Sequence, residues 1–188
     1  MSATNAPFGL RPVYHPSGLD RAKALANGIA SAYSTDILKG APVKLTTSGT
    51  LNVLTSTEAL VGAFAGVEFT DSTGRRRVSN YWPASTVATA VVAYYYDDPQ
   101  IVYEIQADGV VAQTAIGDNA NFSNLTAGST TTGLSQCTMS ASLSGTSTYG
   151  QLRILDIAPY PGNAWGDAYP ILRVSVANSQ FVATINAI

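Results

Sequence analysis

The sequence predicts an all-β chain: a single β-barrel or β-sandwich domain of about ten short strands, with an extended N-terminal arm and one short helix. Three observations lead there. Short runs in which Thr and Val alternate with polar residues recur from Pro42 onward, with the two-residue period of a half-buried strand. Turn formers separate those runs, as at Ser48-Gly49, Asp71–Gly74 and Asp97-Asp98-Pro99-Gln100. Pro7, Pro12 and Pro16 exclude a helix from residues 1–19, because proline fixes φ and biases the preceding residue toward extended backbone.

The arm comes first. Phe8, Leu10, Arg11, Val13 and Tyr14 lie between its prolines and are its candidate partner contacts, the apolar ones as anchors. Ordering an extended segment costs on the order of 1–2 kcal/mol per residue in backbone entropy. Its anchors are therefore expected to find their burial on a neighbouring subunit. Leu19–Ile29 reads as the one helix, with Asp20 as a cap, Ala and Lys inside, and Asn27-Gly28 as the stop. Residues 1–35 thus form the arm and helix, and residues 36–188 the β domain.

Within that domain, strands are expected near Pro42–Thr46, Thr50–Thr55, Leu60–Thr70, Arg76–Tyr81, Thr86–Asp97 and Ile101–Gln106. Further ones fall near Asn119–Asn124, Cys137–Leu143, Tyr149–Ala158, Pro170–Val176 and Gln180–Asn186. The Ser/Thr/Gly-rich stretch Thr126–Ser135 reads as a loop. No fixed-period repeat is visible.

Composition narrows the function. Of 188 residues, 12% are charged, about half the roughly 25% usual for a soluble domain. Such a surface suits a protein covered by neighbours in an assembly. With net charge −2, a strongly basic nucleic-acid binder is excluded. One cysteine, Cys137, and one histidine, His15, supply neither an internal disulfide nor a four-ligand zinc site. The start of the chain has no apolar signal region, and no apolar run reaches membrane-spanning length. The expectation is a protein made in the cytoplasm of a cell, with no membrane partner and no cofactor.

No residue set commits to catalysis. Asp97, Asp98, Glu104 and Asp108 cluster in sequence, and paired carboxylates could serve a glycosidase or hold Ca²⁺. Asp in a β-turn is also ordinary hydrogen-bonding chemistry, and strand geometry does not let all four converge. A serine or cysteine triad lacks its elements, and Cys137 reads as a small buried hydrophobe. Tyr94, Tyr95 and Tyr96 alternate faces, so Tyr95 points away from the other two. One face is expected in the core and the other in a subunit contact, with Tyr95 a candidate contact residue. Arg75, Arg76 and Arg77, the only basic run, read either as an interchain contact or as a solvated strand edge.

The order of segments then matters. PFGLRPVYHPSG, GIASAYSTDILKGAPVKLTTSGTL and VGAFAGVEFTDSTGRRRVSNYWP, followed by YYYDDPQIVYEIQADG, AIGDNANF and QLRILDI, resembles the tailed-phage capsid cement or decoration proteins. The resemblance implies a β-rich, non-enzymatic protein on the outer capsid surface of the virion. It also implies the major capsid protein as partner and a homotrimer or homodimer. Two other classes stay open: another virion part such as a tail or head–tail connector component, and a carbohydrate-binding module using the Asp97/Asp98 hairpin and the tyrosines.

Overall fold

A computed structural model describes residues 4–18, 22–144 and 149–183. Its strands are β1 (Arg11–Tyr14), β2 (Lys23–Ala26), β3 (Pro42–Leu45), β4 (Leu51–Val53), β5 (Gly62–Asp71), β6 (Arg76–Ser79) and β7 (Ala88–Tyr96). They continue with β8 (Val102–Gln106), β9 (Asn119–Ser123), β10 (Gly128–Ser129), β11 (Leu134–Ser135), β12 (Thr138–Leu143), β13 (Leu152–Ile157) and β14 (Ile171–Val176). A single 3-10 turn at Gln113–Ala115 is the only helical element among the described residues.

Two six-stranded antiparallel sheets result. The first runs β1-β8-β14-β13-β9-β12; the second runs β2-β7-β5-β3-β4, with β6 also on β5. Neither closes into a barrel, so of the two expected architectures the sandwich describes the chain. Each sheet has its own apolar cluster. Tyr103, Ile105, Met139, Leu152, Ile154, Leu172 and Val174 form the first; Val43, Leu51, Phe64, Val67, Trp82 and Tyr95 belong to the second. Leu54, Leu60 and Ala63, from the second sheet and its connection, pack into the first cluster and join the two.

The N-terminal segment departs most from expectation. It is extended, but β1 is hydrogen-bonded to β8 of the same chain, with Arg11 opposite Glu104 and Tyr14 opposite Val102. Leu10 is fully buried in the chain's own core, and its N–H donates to the Gly40 carbonyl. Gly9 permits this approach: its φ is +77°, and a Cβ there would stand 2.7 Å from the Gly40 oxygen. The cost of ordering the arm is thus offset within the chain, contrary to the expected dependence on a neighbour. Pro12 is tolerated because β1 is an edge strand, where a missing N–H breaks no ladder on the outer side.

The expected helix is also corrected. Within Leu19–Ile29, Lys23–Ala26 is strand β2, paired residue by residue with Ala93–Tyr95 and Val92 of β7; residues 19–21 lie outside the described set. Pairing with β7 overrides the helix preference of Ala, Leu and Lys. Since β1 and β2 belong to different sheets, a boundary at residue 35 does not separate an arm from the β domain. The loop Thr126–Ser135 contains the small β10–β11 hairpin. Within the expected last strand, no strand is formed over 180–183, and residues 184–186 lie outside the described set.

Candidate functional site

Strand β8 organises the most elaborate polar cluster. Tyr103 and Ile105 point into the core, so Glu104 and Gln106 take the outer face. Glu104 is nonetheless only 2% exposed. Arg11 of β1 donates from Nη2 to its Oε2 at 2.7 Å, and the Tyr160 hydroxyl donates to the same oxygen at 2.6 Å. Arg11 Nη2 also lies 2.9 Å from the Tyr160 hydroxyl, and Arg173 Nε on β14 is 3.6 Å from Glu104 Oε1. Two guanidiniums thus face one carboxylate. The hydrogen bond to Glu104 holds the Tyr160 phenol above its ordinary pKa. Nearby, Gln106 receives the Ala6 N–H and donates to the Thr4 and Tyr169 carbonyls, tying down the residues before β1.

Beside this cluster the outer face is apolar. Val13, Tyr14, Val102, Leu155 and Arg173 line a groove of about 260 Å³. Tyr14 is 58% exposed and Leu155 37%. Leu155 falls at an irregularity in the β13–β14 register, between Ile154 and Asp156, which turns it outward. A second cleft, about 370 Å³, opens beside β1 where the two sheets meet.

Other expected site residues are scattered. Leu10 and Tyr95 are buried, Tyr95 at 1%, so neither can meet a partner on the folded chain. The three tyrosines do alternate faces, with Tyr95 pointing inward rather than toward a partner, and Tyr94 and Tyr96 half-buried on the other face. Phe8 lies under Arg11, whose guanidinium carbon is 4.4 Å from the ring centroid. Arg75, Arg76 and Arg77 lie exposed along and just before edge strand β6. Arg76 pairs with Glu68 at 2.8 Å, and Arg77 pairs with Asp71 at 2.8 Å. Bonds from the Thr73 hydroxyl, Arg77 and backbone N–H groups hold the Asp71 carboxyl well below the usual carboxylate range.

The four carboxylates of the β7–β8 region diverge. Asp97 pairs with Lys23, Asp98 accepts from the Gln100 N–H, and Asp108 accepts from Ser123 and the Ala141 N–H. Cys137 is fully buried, and burial pushes its thiol up to about 11. Among the described residues no group of three or more His, Cys, Asp or Glu stands together as a metal site.

One arrangement escaped the sequence reading. Ser17 Oγ lies 2.9 Å from His15 Nδ1, and His15 Nε2 lies 3.1 Å from Asp98 Oδ2. The three groups stand in the order of a proton relay, but His15 Nε2 makes no hydrogen bond to Asp98 at that distance. No local motif announces the arrangement, because Asp98 arrives from the β7–β8 turn. Acyl transfer also needs donors for the developing oxyanion. The Ser17 N–H is already engaged with His15 Nδ1 and the Gly18 N–H with the His15 carbonyl, each at 3.1 Å. The trio therefore fastens one turn to another, carrying the end of β1 onto the start of β8.

No family model, curated protein or solved structure matches the chain.

Proposed function

We propose that the chain is a structural virion protein that binds the outer surface of a phage capsid and cements neighbouring capsid subunits. The observation that carries the reading is the outward groove of Val13, Tyr14, Val102, Leu155 and Arg173. Exposed apolar surface beside a cation, on a chain with few charges, is what a protein partner covers. The groove spans β1, β8, β13 and β14, so it is held by main-chain pairing and needs little ordering on binding. The segment order resembling cement proteins supplies the partner, the major capsid protein. Self-association into a trimer or dimer on the capsid belongs to the same reading, which assigns no reaction, cofactor, nucleic acid or membrane to the chain.

The test is reconstitution on heads stripped of the protein. Whatever binds only the assembled state stabilises it by mass action, so decorated heads should rupture at higher temperature than stripped ones. The double variant Tyr14→Ser, Leu155→Ser should keep its β-type circular dichroism and lose occupancy. Equal rupture temperatures at verified full occupancy would defeat cementing. Full occupancy by the double variant would move the contact elsewhere on the molecule.

A further inference from the structure

The cleft beside β1 differs in kind from the outward groove. Its lining includes Phe8, Leu10, Arg11, Lys39, Phe64 and Leu134. Leu10 and Phe64 are buried, whereas Leu134 at the rim is 43% exposed and Phe8 is half-buried. The volume, about 370 Å³, lies within the range of small-ligand sites. The two charged residues of the lining are both cations, and no acidic side chain lines it.

Those cations are unequal in their commitments. Arg11 gives Nη2 to Glu104 and Tyr160 and lays its guanidinium over Phe8. A guanidinium carries five N–H donors in a planar fork, so this leaves it further donors. Lys39 has no ion-pair partner among the described residues. Among the described residues the carboxylate in ion-pair contact with Arg11 is Glu104, which already faces Arg173 as well. An anion entering from the Lys39 side would find uncompensated positive charge above an apolar floor.

We infer that this cleft is a binding site for a carboxylate carried on a short apolar or aromatic stem. The stem covers Phe8 and Leu134 above the buried Leu10 and Phe64, and the carboxylate meets Lys39 and Arg11. A neutral molecule of the same shape would gain the apolar contact alone. The same chemistry can come from a free organic acid or from an acidic side chain beside an aromatic one in a peptide. The inference does not depend on the virion reading, because it is tested on the isolated chain.

The probes are 3-phenylpropionate, its neutral counterpart 3-phenylpropan-1-ol, and the capped dipeptide N-acetyl-Phe-Glu-amide, titrated into ¹⁵N-labelled protein. The acid or the dipeptide should shift the amides of Lys39, Gly40 and Leu134, and the one that binds more tightly identifies the source. The alcohol should bind roughly ten-fold more weakly than the acid, the difference expected for one charge-assisted contact. Lys39→Met should remove most of that preference while leaving the rest of the spectrum in place, since Lys39 is exposed. Leu134→Ala should weaken acid and alcohol alike and keep their ratio. Absence of localised shifts with both the acid and the dipeptide at millimolar concentration would overturn the inference. So would an alcohol that binds as tightly as the acid.

Discussion

The protein carries the same trio of side chains twice. On the first sheet, Glu104 accepts from Arg11 at 2.7 Å and from Tyr160 at 2.6 Å. On the second, Glu68 accepts from Arg76 at 2.8 Å and from Tyr94 at 2.6 Å. Bond lengths do not distinguish them; surroundings do. Glu104 is buried beneath β1, β14 and the segment holding Tyr160, whereas the Glu68 side chain keeps 32% of its exposure. Arg11 lies 93 residues from Glu104, while Arg76 lies 8 from Glu68 across one hairpin. The buried trio holds the N-terminal strand on its sheet. The exposed trio decorates a hairpin whose register the backbone already sets. Identical chemistry therefore has different consequences, because a charge lost from the buried site strands its partner away from water.

The largest effect should come from Arg11→Ala. Stranding a buried charge costs about 3–5 kcal/mol; Arg173 remains nearby, so about 2–4 kcal/mol is expected here. Chemical denaturation against wild type measures it. Replacing Arg11 and Glu104 together by Met should recover most of the loss, since apolar packing can substitute for a buried pair. A single variant as stable as wild type would show that β1 is held by Leu10 and main-chain pairing alone.

Tyr160→Phe comes next, at about 1 kcal/mol near neutral pH, a hydrogen bond to a charged group discounted for partial exposure. The raised phenol pKa fixes the sign of its pH dependence. A raised folded-state pKa contributes stability that is present below the unfolded phenol value, about 10, and lost as pH rises through the folded one. Wild type should therefore lose more stability than Tyr160→Phe on going to strongly alkaline pH. Parallel alkaline limbs would detach Tyr160 from Glu104.

These contrasts bear on what could be read in advance. Strands β3 to β9 and β12 to β14 were legible because each is a short run of alternating or continuous apolar residues set off by turn formers such as Gly, Asn, Asp, Ser or Pro. Strand β2 was not, because Lys23, Ala24, Leu25 and Ala26 favour a helix until β7 offers its edge. Proline at position 12 concealed β1 in the same way, since only an edge position tolerates it. The two-residue period of β8 places Glu104 on the face opposite Tyr103 and Ile105. What sequence could not supply was the coverage of that outer face by Arg11 and Tyr160, which depends on contacts between distant segments. The groove at Leu155 was hidden for a related reason: a register irregularity has no residue signature there.

A smaller effect, confined to acid, should distinguish the exposed hairpin. Asp71 is held well below the usual carboxylate range by Thr73, Arg77 and backbone N–H groups, and Glu68 is lowered by Tyr94 and Arg76. A depressed folded-state pKa contributes stability present above the unfolded value, about 4, and lost as pH falls through the folded one. Asp71→Asn should flatten the acid limb of the stability curve below pH about 4 and leave the alkaline limb unchanged. An unchanged acid limb would mean that acid unfolding is governed elsewhere.

The smallest effect belongs to Arg76→Ala, and its smallness is what the comparison requires. Arg76 reaches Glu68 and the Ala90 carbonyl across a solvent-facing surface. Water replaces a guanidinium there, and no charge is left buried. The register of β5 and β6 is carried by main-chain pairing from Val67–Ser79 to Thr70–Arg76, and the Asp71–Gly74 turn closes it independently. The unfolding midpoint of Arg76→Ala should thus fall within repeat error of wild type in 0.5 M salt. Any deficit seen at low salt should fade as the Debye length shortens from about 30 Å at 0.01 M toward 3 Å at 1 M. Arg11→Ala should keep most of its deficit over the same salt range, because screening reaches a buried carboxylate poorly. If Arg76→Ala proved as costly as Arg11→Ala at high salt, burial would not be what separates the two trios.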